Sequence, residues 1–138
     1  MATFISRSPA ETESFAERIG AACPPGSVIG LVGDLGAGKT QFVKGLARGV
    51  GFLGRVHSPT FALMNCYEGG RSAVFHLDLY RLESHEAIER AGLGEYFTPD
   101  GIAVVEWFDR WGGTVPERFQ LYRFEIISDT ERAIHYGS

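Results

Sequence analysis

Eight consecutive residues, Gly33-Asp34-Leu35-Gly36-Ala37-Gly38-Lys39-Thr40, constrain this chain more than any other stretch. They match the pattern G-x-x-x-x-G-K-[ST], which requires a strand to deliver the loop and a helix to follow it. The flanks supply both. Ser27–Val32 is a short apolar run rich in β-branched residues, which reads as a buried strand. Beyond the loop, Phe42, Val43, Leu46, Ala47 and Val50 recur at the spacing of a helix packed on a sheet, with Gly49 and Gly51 as its end. Glycines let the backbone curl so that successive N–H groups converge on an anion, and the helix N-terminus adds its partial positive charge. Gly33, Asp34, Leu35, Gly36, Ala37, Gly38 and Gln41 are therefore expected around a nucleotide's phosphates, with the Lys39 ammonium on the β- and γ-phosphates and the Thr40 hydroxyl on Mg²⁺. The alternative, a glycine-rich turn with an incidental lysine, does not account for these flanks.

The rest of the chain extends an α/β pattern. Ser8-Pro9-Ala10-Glu11 has the form of a capping box with proline at the first helical position, predicting a helix from about Pro9 to Ala22, stopped by Pro24-Pro25-Gly26. Residues 61–67 and 73–80, separated by Glu68-Gly69-Gly70-Arg71-Ser72, predict a β-hairpin whose second arm places Val74, His76, Asp78 and Tyr80 on one face. A short helix is expected around Ser84–Ala91, a buried strand at Gly101–Trp107, and a terminal hairpin from 119–127 and 131–136. The expectation is one P-loop domain over residues 1–138: three layers, with a central mixed, partly parallel sheet flanked by helices.

Composition narrows the function. Thirteen basic against seventeen acidic residues give a formal charge of −4, and no Lys/Arg run is present to hold a nucleic-acid backbone unaided. Cys23 and Cys66 form no C-x-x-C, which fits a reducing cytoplasm, and both read as small core fillers. No signal-peptide pattern opens the sequence and no apolar run is long enough to span a bilayer, so the expectation is a soluble, cytoplasmic chain with no membrane partner.

Two carboxylates compete for the metal-side role. Asp78 closes Val-Phe-His-Leu-Asp and Glu106 closes Ile-Ala-Val-Val-Glu, each at the end of a strand-like run, where ligands of open α/β sheets collect. Either could instead be a solvent-facing strand acid, although a charge ending a buried run needs a partner. Ser58-Pro59-Thr60 stands where nucleotide-sensing loops occur, or is an ordinary strand-initiating turn. The four histidines have no ligand spacing among themselves or with cysteine. Trp107, Phe108 and Trp111 read as core aromatics, with a partner surface as the alternative. Asn65 is the sole asparagine, so the N-K-x-D guanine-reading motif is absent.

Four strings together, Gly-Asp-Leu-Gly-Ala-Gly-Lys-Thr at 33–40, Ser-Pro-Thr-Phe at 58–61, His-Leu-Asp-Leu-Tyr-Arg-Leu at 76–82 and Val-Val-Glu-Trp at 104–107, resemble the TsaE (YjeE) family in order and spacing. The resemblance covers about residues 8–110. It implies a partner-stimulated, Mg²⁺-dependent ATPase that serves threonylcarbamoyladenosine formation at position 37 of tRNA. In that family TsaC makes threonylcarbamoyl-adenylate and a TsaB–TsaD pair transfers the group, so contact with tRNA is indirect. By position, the resemblance implies phosphate binding by Lys39, Thr40 and Glu106 beside Mg²⁺, and Asp78 as a metal-side or water-orienting acid. It also implies Thr60, with Ser58, in the mobile loop, and an adenine site near Pro9 or Thr12 and a C-terminal arginine that could be Arg132. Ser58–Phe61 and the aromatic segment Trp107–Trp111 are the expected partner-sensing parts. Two other readings fit the residues alone: a small-molecule P-loop kinase, and a nucleotide-regulated binding module in which hydrolysis is incidental.

Overall fold

A computed structural model describes residues 1–34, 36–59, 63–97 and 99–137. Its centre is strand β2 (Val28–Val32), whose Val28, Ile29 and Leu31 are buried on alternating faces. β2 pairs in parallel with β5 (Ile102–Glu106) on one side and with β6 (Phe119–Ile126) on the other. β4 (Val74–Asp78) extends the parallel block beyond β5, with Asp78 opposite Glu106. The edges are antiparallel: β3 (Met64–Tyr67) on β4, β7 (Arg132–Tyr136) on β6, and β1 (Ala2–Ser6) on β7. The order is β1-β7-β6-β2-β5-β4-β3, a mixed seven-stranded sheet. Because β7 reverses direction between β6 and β1, strands β1, β6, β2, β5 and β4 all point the same way. Their carboxyl ends line up along one edge of the domain.

Helices α1 (Pro9–Ala22) and α2 (Lys39–Val50) cover one face. Ser8 caps α1 by accepting from the Glu11 N–H at 3.1 Å, while the Glu11 carboxylate accepts from the Arg7 N–H at 2.8 Å. Phe15 stacks on Phe4 and meets Phe42 and Tyr122 edge-on, joining both helices to the sheet. Fully burying a side chain such as Phe42 stabilises by about 1.5–3 kcal/mol. The helices approach backbone to backbone: a Cβ on Gly45 would overlap the Glu13 carbonyl, and one on Gly49 the Glu17 carbonyl. Arg48 crosses this contact to Glu17 at 2.8 Å and Glu13 at 3.2 Å. The other face is covered by α3 (His85–Arg90) and short 3-10 turns at Gly94–Phe97 and Phe108–Arg110, where Phe97 stacks on Trp111 at 3.8 Å.

Several expectations shift. β1 lies in a stretch given no strand by its sequence; three of its five residues are exposed at an edge, so no buried alternation marks it. Gly49 lies inside α2 rather than ending it, and Gly51, in the left-handed region at φ 106°, is the cap. The strand expected over 73–80 ends at Asp78, where the Tyr80 N–H turns back to the Asp78 carboxylate. Cys23 is buried as expected, but Cys66 is exposed because it points outward from edge strand β3. Among the described residues no helix is long and apolar enough to cross a membrane.

Candidate functional site

The five aligned strand ends enclose a cleft of about 580 Å³. Each contributes something different. β2 leads into the glycine loop, β4 ends in Asp78, β5 ends in Glu106 followed by Trp107, β6 leads to the turn holding Asp129 and Thr130, and β1 leads to Arg7 and Ser8. This is the edge at which open α/β sheets collect ligands.

Gly36 and Gly38 have φ of 79° and 100°, and a Cβ on either would meet nothing within 4 Å. The loop thus takes a left-handed backbone while leaving the space above it open, as an anion cradle requires. Gly38 also occupies the N-cap of α2, which has no side-chain cap, so the first N–H groups of the helix remain available at the cleft floor. Lys39 is 5% exposed; its Nζ donates to the carbonyls of Gly33 and Asp34 and stands 4.3 Å from the centre of the Trp107 ring. Burial pushes its pKa down, and Glu106, Asp78, Asp34 and Asp109 pull it partly back.

The Thr40 hydroxyl faces the Glu106 carboxylate, 3.3 Å from Oε2 and 3.5 Å from Oε1. Glu106 is 4% exposed, and its inner partner is His76, whose Nε2 lies 2.6 Å from Oε2. Asp78 receives the Tyr80 N–H at 3.0 Å and the Ser58 hydroxyl at 3.4 Å. Burial raises its pKa, the Tyr80 and Ser58 bonds oppose the shift, and the negative charge of Glu106 adds to it. A hydroxyl and two carboxylates are hard oxygen donors, the set a small divalent cation takes. No group of three His, Cys, Asp or Glu side chains forms a metal cage among the described residues. A cation here would draw its remaining ligands from water or a bound phosphate.

The structure brings Gly36, Ala37, Gly38, Lys39, Thr40, Gln41, Ser58, Asp78, Glu106, Trp107, Pro9, Thr12 and Arg132 to this one cleft, from six separate stretches of sequence. Gly33 and Asp34 sit beneath it as acceptors for Lys39. Leu35 and Thr60 lie outside the described residues. Thr12 is buried with its hydroxyl 2.7 Å from that of Ser6, and Arg132 donates to the carbonyl of Gly36 at 3.1 Å, tying the terminal hairpin to the loop. Trp107 takes the left-handed conformation at φ 57°, an uncommon state for an aromatic residue. Trp111, in contrast, is buried at 4% exposure as core.

Sequence reasoning missed Arg7, Ser8, Tyr80, Asp129 and Thr130 as lining residues, and His76 as the partner of Glu106. The last carried a signal: His76 and Asp78 share one face of β4, and the buried charge of Glu106 called for a partner.

A parallel-centred sheet whose middle strand ends in a glycine loop and an uncapped helix, with acids closing two neighbouring strands, defines an α/β domain of P-loop architecture. The chain belongs to the family described as "Threonylcarbamoyl adenosine biosynthesis protein TsaE", whose model matches residues 6–134. It is 39% identical over 132 residues to the tRNA threonylcarbamoyladenosine biosynthesis protein TsaE of Bacillus subtilis, covering 93% of this chain and 80% of that one. Its Treponema pallidum counterpart is 38% identical over 130 residues, covering 94% and 96%. The crystal structure of Bacillus subtilis YdiB superposes with a TM-score of 0.78 at 32% identity, covering 98% of this chain and 83% of that one.

Proposed function

We propose that this chain binds and hydrolyses ATP with Mg²⁺, and that hydrolysis supports threonylcarbamoyladenosine modification of tRNA through a TsaB–TsaD partner complex. The observation that carries the reading is the convergence of Lys39, Thr40, Asp78 and Glu106 on one cleft over an open glycine cradle. Family membership supplies the tRNA pathway.

In this reading the backbone N–H groups of the loop and of the first turn of α2 receive the phosphates. Lys39 leaves the Gly33 and Asp34 carbonyls for β- and γ-phosphate oxygens, exchanging two neutral acceptors for a charged one. Thr40 and Glu106 would hold Mg²⁺, whose bound charge offsets that developing on the phosphate oxygens. Asp78 stands beside them to orient the attacking water. Pro9, Thr12 and Arg132, with Arg7 and Thr130, line the same cleft and would take the base.

The test is calorimetry with ATP and GTP, followed by phosphate release from the wild-type chain and Glu106→Ala. The expected outcome is preferential Mg-ATP binding and hydrolysis that is lost in Glu106→Ala while nucleotide binding survives. Equal competition by GTP, or wild-type hydrolysis by the variant, contradicts the assignment.

A further inference from the structure

His76 is completely buried, in a strand position where an aliphatic side chain would pack with less desolvation cost. Both ring nitrogens are engaged. Nε2 stands 2.6 Å from Glu106 Oε2, and Nδ1 stands 2.8 Å from the Tyr67 hydroxyl. That hydroxyl also reaches the His57 carbonyl at 3.0 Å, and the same carbonyl accepts from Asn65 Nδ2 at 3.0 Å. Nε2–H facing a carboxylate is the donor of that contact, while the Tyr67 hydroxyl, which donates to the His57 carbonyl, holds the Nδ1 edge of the ring. The ring is therefore fixed in orientation from both sides.

The arrangement is one-sided at Glu106. His76 grips Oε2 from the sheet interior, while toward the cleft, among the described residues, the carboxylate has only the longer approach of the Thr40 hydroxyl. Glu106 is the last residue of β5, and the next residue, Trp107, leaves extended geometry, so the backbone beyond it does little to fix its side chain. A carboxylate held on its inner oxygen and free toward a cleft matches the hydrogen-bonded carboxylates that surround metal sites, where outer partners set the orientation of the ligands.

We propose that His76, clamped by Tyr67, is a positioning residue that pre-sets the Glu106 carboxylate against the Thr40 hydroxyl for Mg²⁺. This role rests on the nucleotide reading above. It assigns to a buried pair on β4 and β3 the task of orienting an acid on β5, and it accounts for the polar chain Glu106–His76–Tyr67 inside an otherwise apolar interior.

The experiment measures Mn²⁺, as a stand-in for Mg²⁺, binding to the chain saturated with a non-hydrolysable ATP analogue, read from the free-ion electron paramagnetic resonance signal. Analogue binding is measured separately in chelator. His76→Leu should weaken Mn²⁺ by about 10-fold to 100-fold, the usual cost of losing such an outer partner, with analogue affinity in chelator unchanged. His76→Gln, whose amide Nε2 can still donate toward Oε2, should recover most of the loss, which a purely structural role would not produce. Tyr67→Phe, which keeps the ring and removes only the hydroxyl, should weaken Mn²⁺ measurably, and it carries the test if His76→Leu does not fold. Wild-type Mn²⁺ affinity in His76→Leu or Tyr67→Phe, or a Gln variant as weak as Leu, overturns the role while leaving the nucleotide reading intact. Failure of the wild-type chain to bind the analogue at all overturns both.

Discussion

Lys39 is a buried cation on the wall of the cleft. The loop pattern names it as the phosphate lysine, yet in the structure its ammonium lies on the Gly33 and Asp34 carbonyls and over the Trp107 ring. Truncation to alanine removes a charge-assisted contact of about 1.5–3 kcal/mol, so Lys39→Ala should weaken Mg-ATP binding by one to two orders of magnitude in calorimetry. Unchanged affinity would refute the assignment. Asp78 offers a complementary test in the apo chain. Burial raises its folded pKa above 3.8, so the native state binds the proton more tightly than the unfolded state does. The resulting penalty is absent below the unfolded value, grows as pH rises through the window, and is complete above the folded value. Asp78→Asn keeps an acceptor oxygen for the Tyr80 N–H, replaces the Ser58 contact by one in which its amide N–H donates to the Ser58 hydroxyl oxygen, and cannot ionise. It should therefore show a higher urea midpoint than wild type at pH 7, and the gap should close at a pH below 3.8. A variant no more stable than wild type at pH 7 contradicts this. His76 and Tyr67 were not legible as a pair because they lie on two strands whose antiparallel register, with His76 opposite Asn65, only the fold supplies.

At the scale of elements, the sequence marks what is periodic or capped and misses what depends on neighbours. The bounds expected for α1 match the helix because Ser8, Pro9 and Glu11 are a local device that needs no tertiary help. β1 was invisible because it earns its strand conformation from β7 alone, through pairs such as Phe4 with Ile134. The packing of α1 on α2 was equally hidden, since nothing in Gly45-Leu46-Ala47-Arg48-Gly49 says which backbone lies opposite. An exposed helical glycine changed to alanine gains about 1 kcal/mol. Gly45 reverses that sign, because its Cβ would overlap the Glu13 carbonyl and force α1 outward. Gly45→Ala should destabilise by about 1–3 kcal/mol, the range for overpacking a close contact. Chemical unfolding checks it, and a stabilised variant would show that the two helices slide apart without cost.

For the molecule as a whole, the cleft is built by strand ends, so most of its walls are loops and turns anchored on a rigid sheet. Among the described residues two of these carry features that go beyond holding a nucleotide. Ser58 bonds to Asp78, and Trp107 lines the cleft with Lys39, Tyr80 and Arg110 around its ring in a strained backbone conformation. Both touch groups that would change partners when a γ-phosphate arrives or leaves. Lys39 would quit the Trp107 face for phosphate, and Asp78 would exchange Ser58 for water. Binding that differs between ATP and ADP states is what allows hydrolysis to shift a partner between conformations, and the coupling works in both directions. The isolated chain is therefore expected to hydrolyse ATP slowly, and the TsaB–TsaD pair to raise the rate by completing the arrangement around Trp107 and Ser58. The measurement is phosphate release with and without the cognate pair, repeated with Trp107→Ala, with complex formation followed separately by sedimentation. Trp107→Ala should retain nucleotide binding but lose most of the stimulation. If the rate is unchanged when the wild-type complex is shown to form, Trp107 does not transmit the partner's presence and the coupling must run through another face of the sheet.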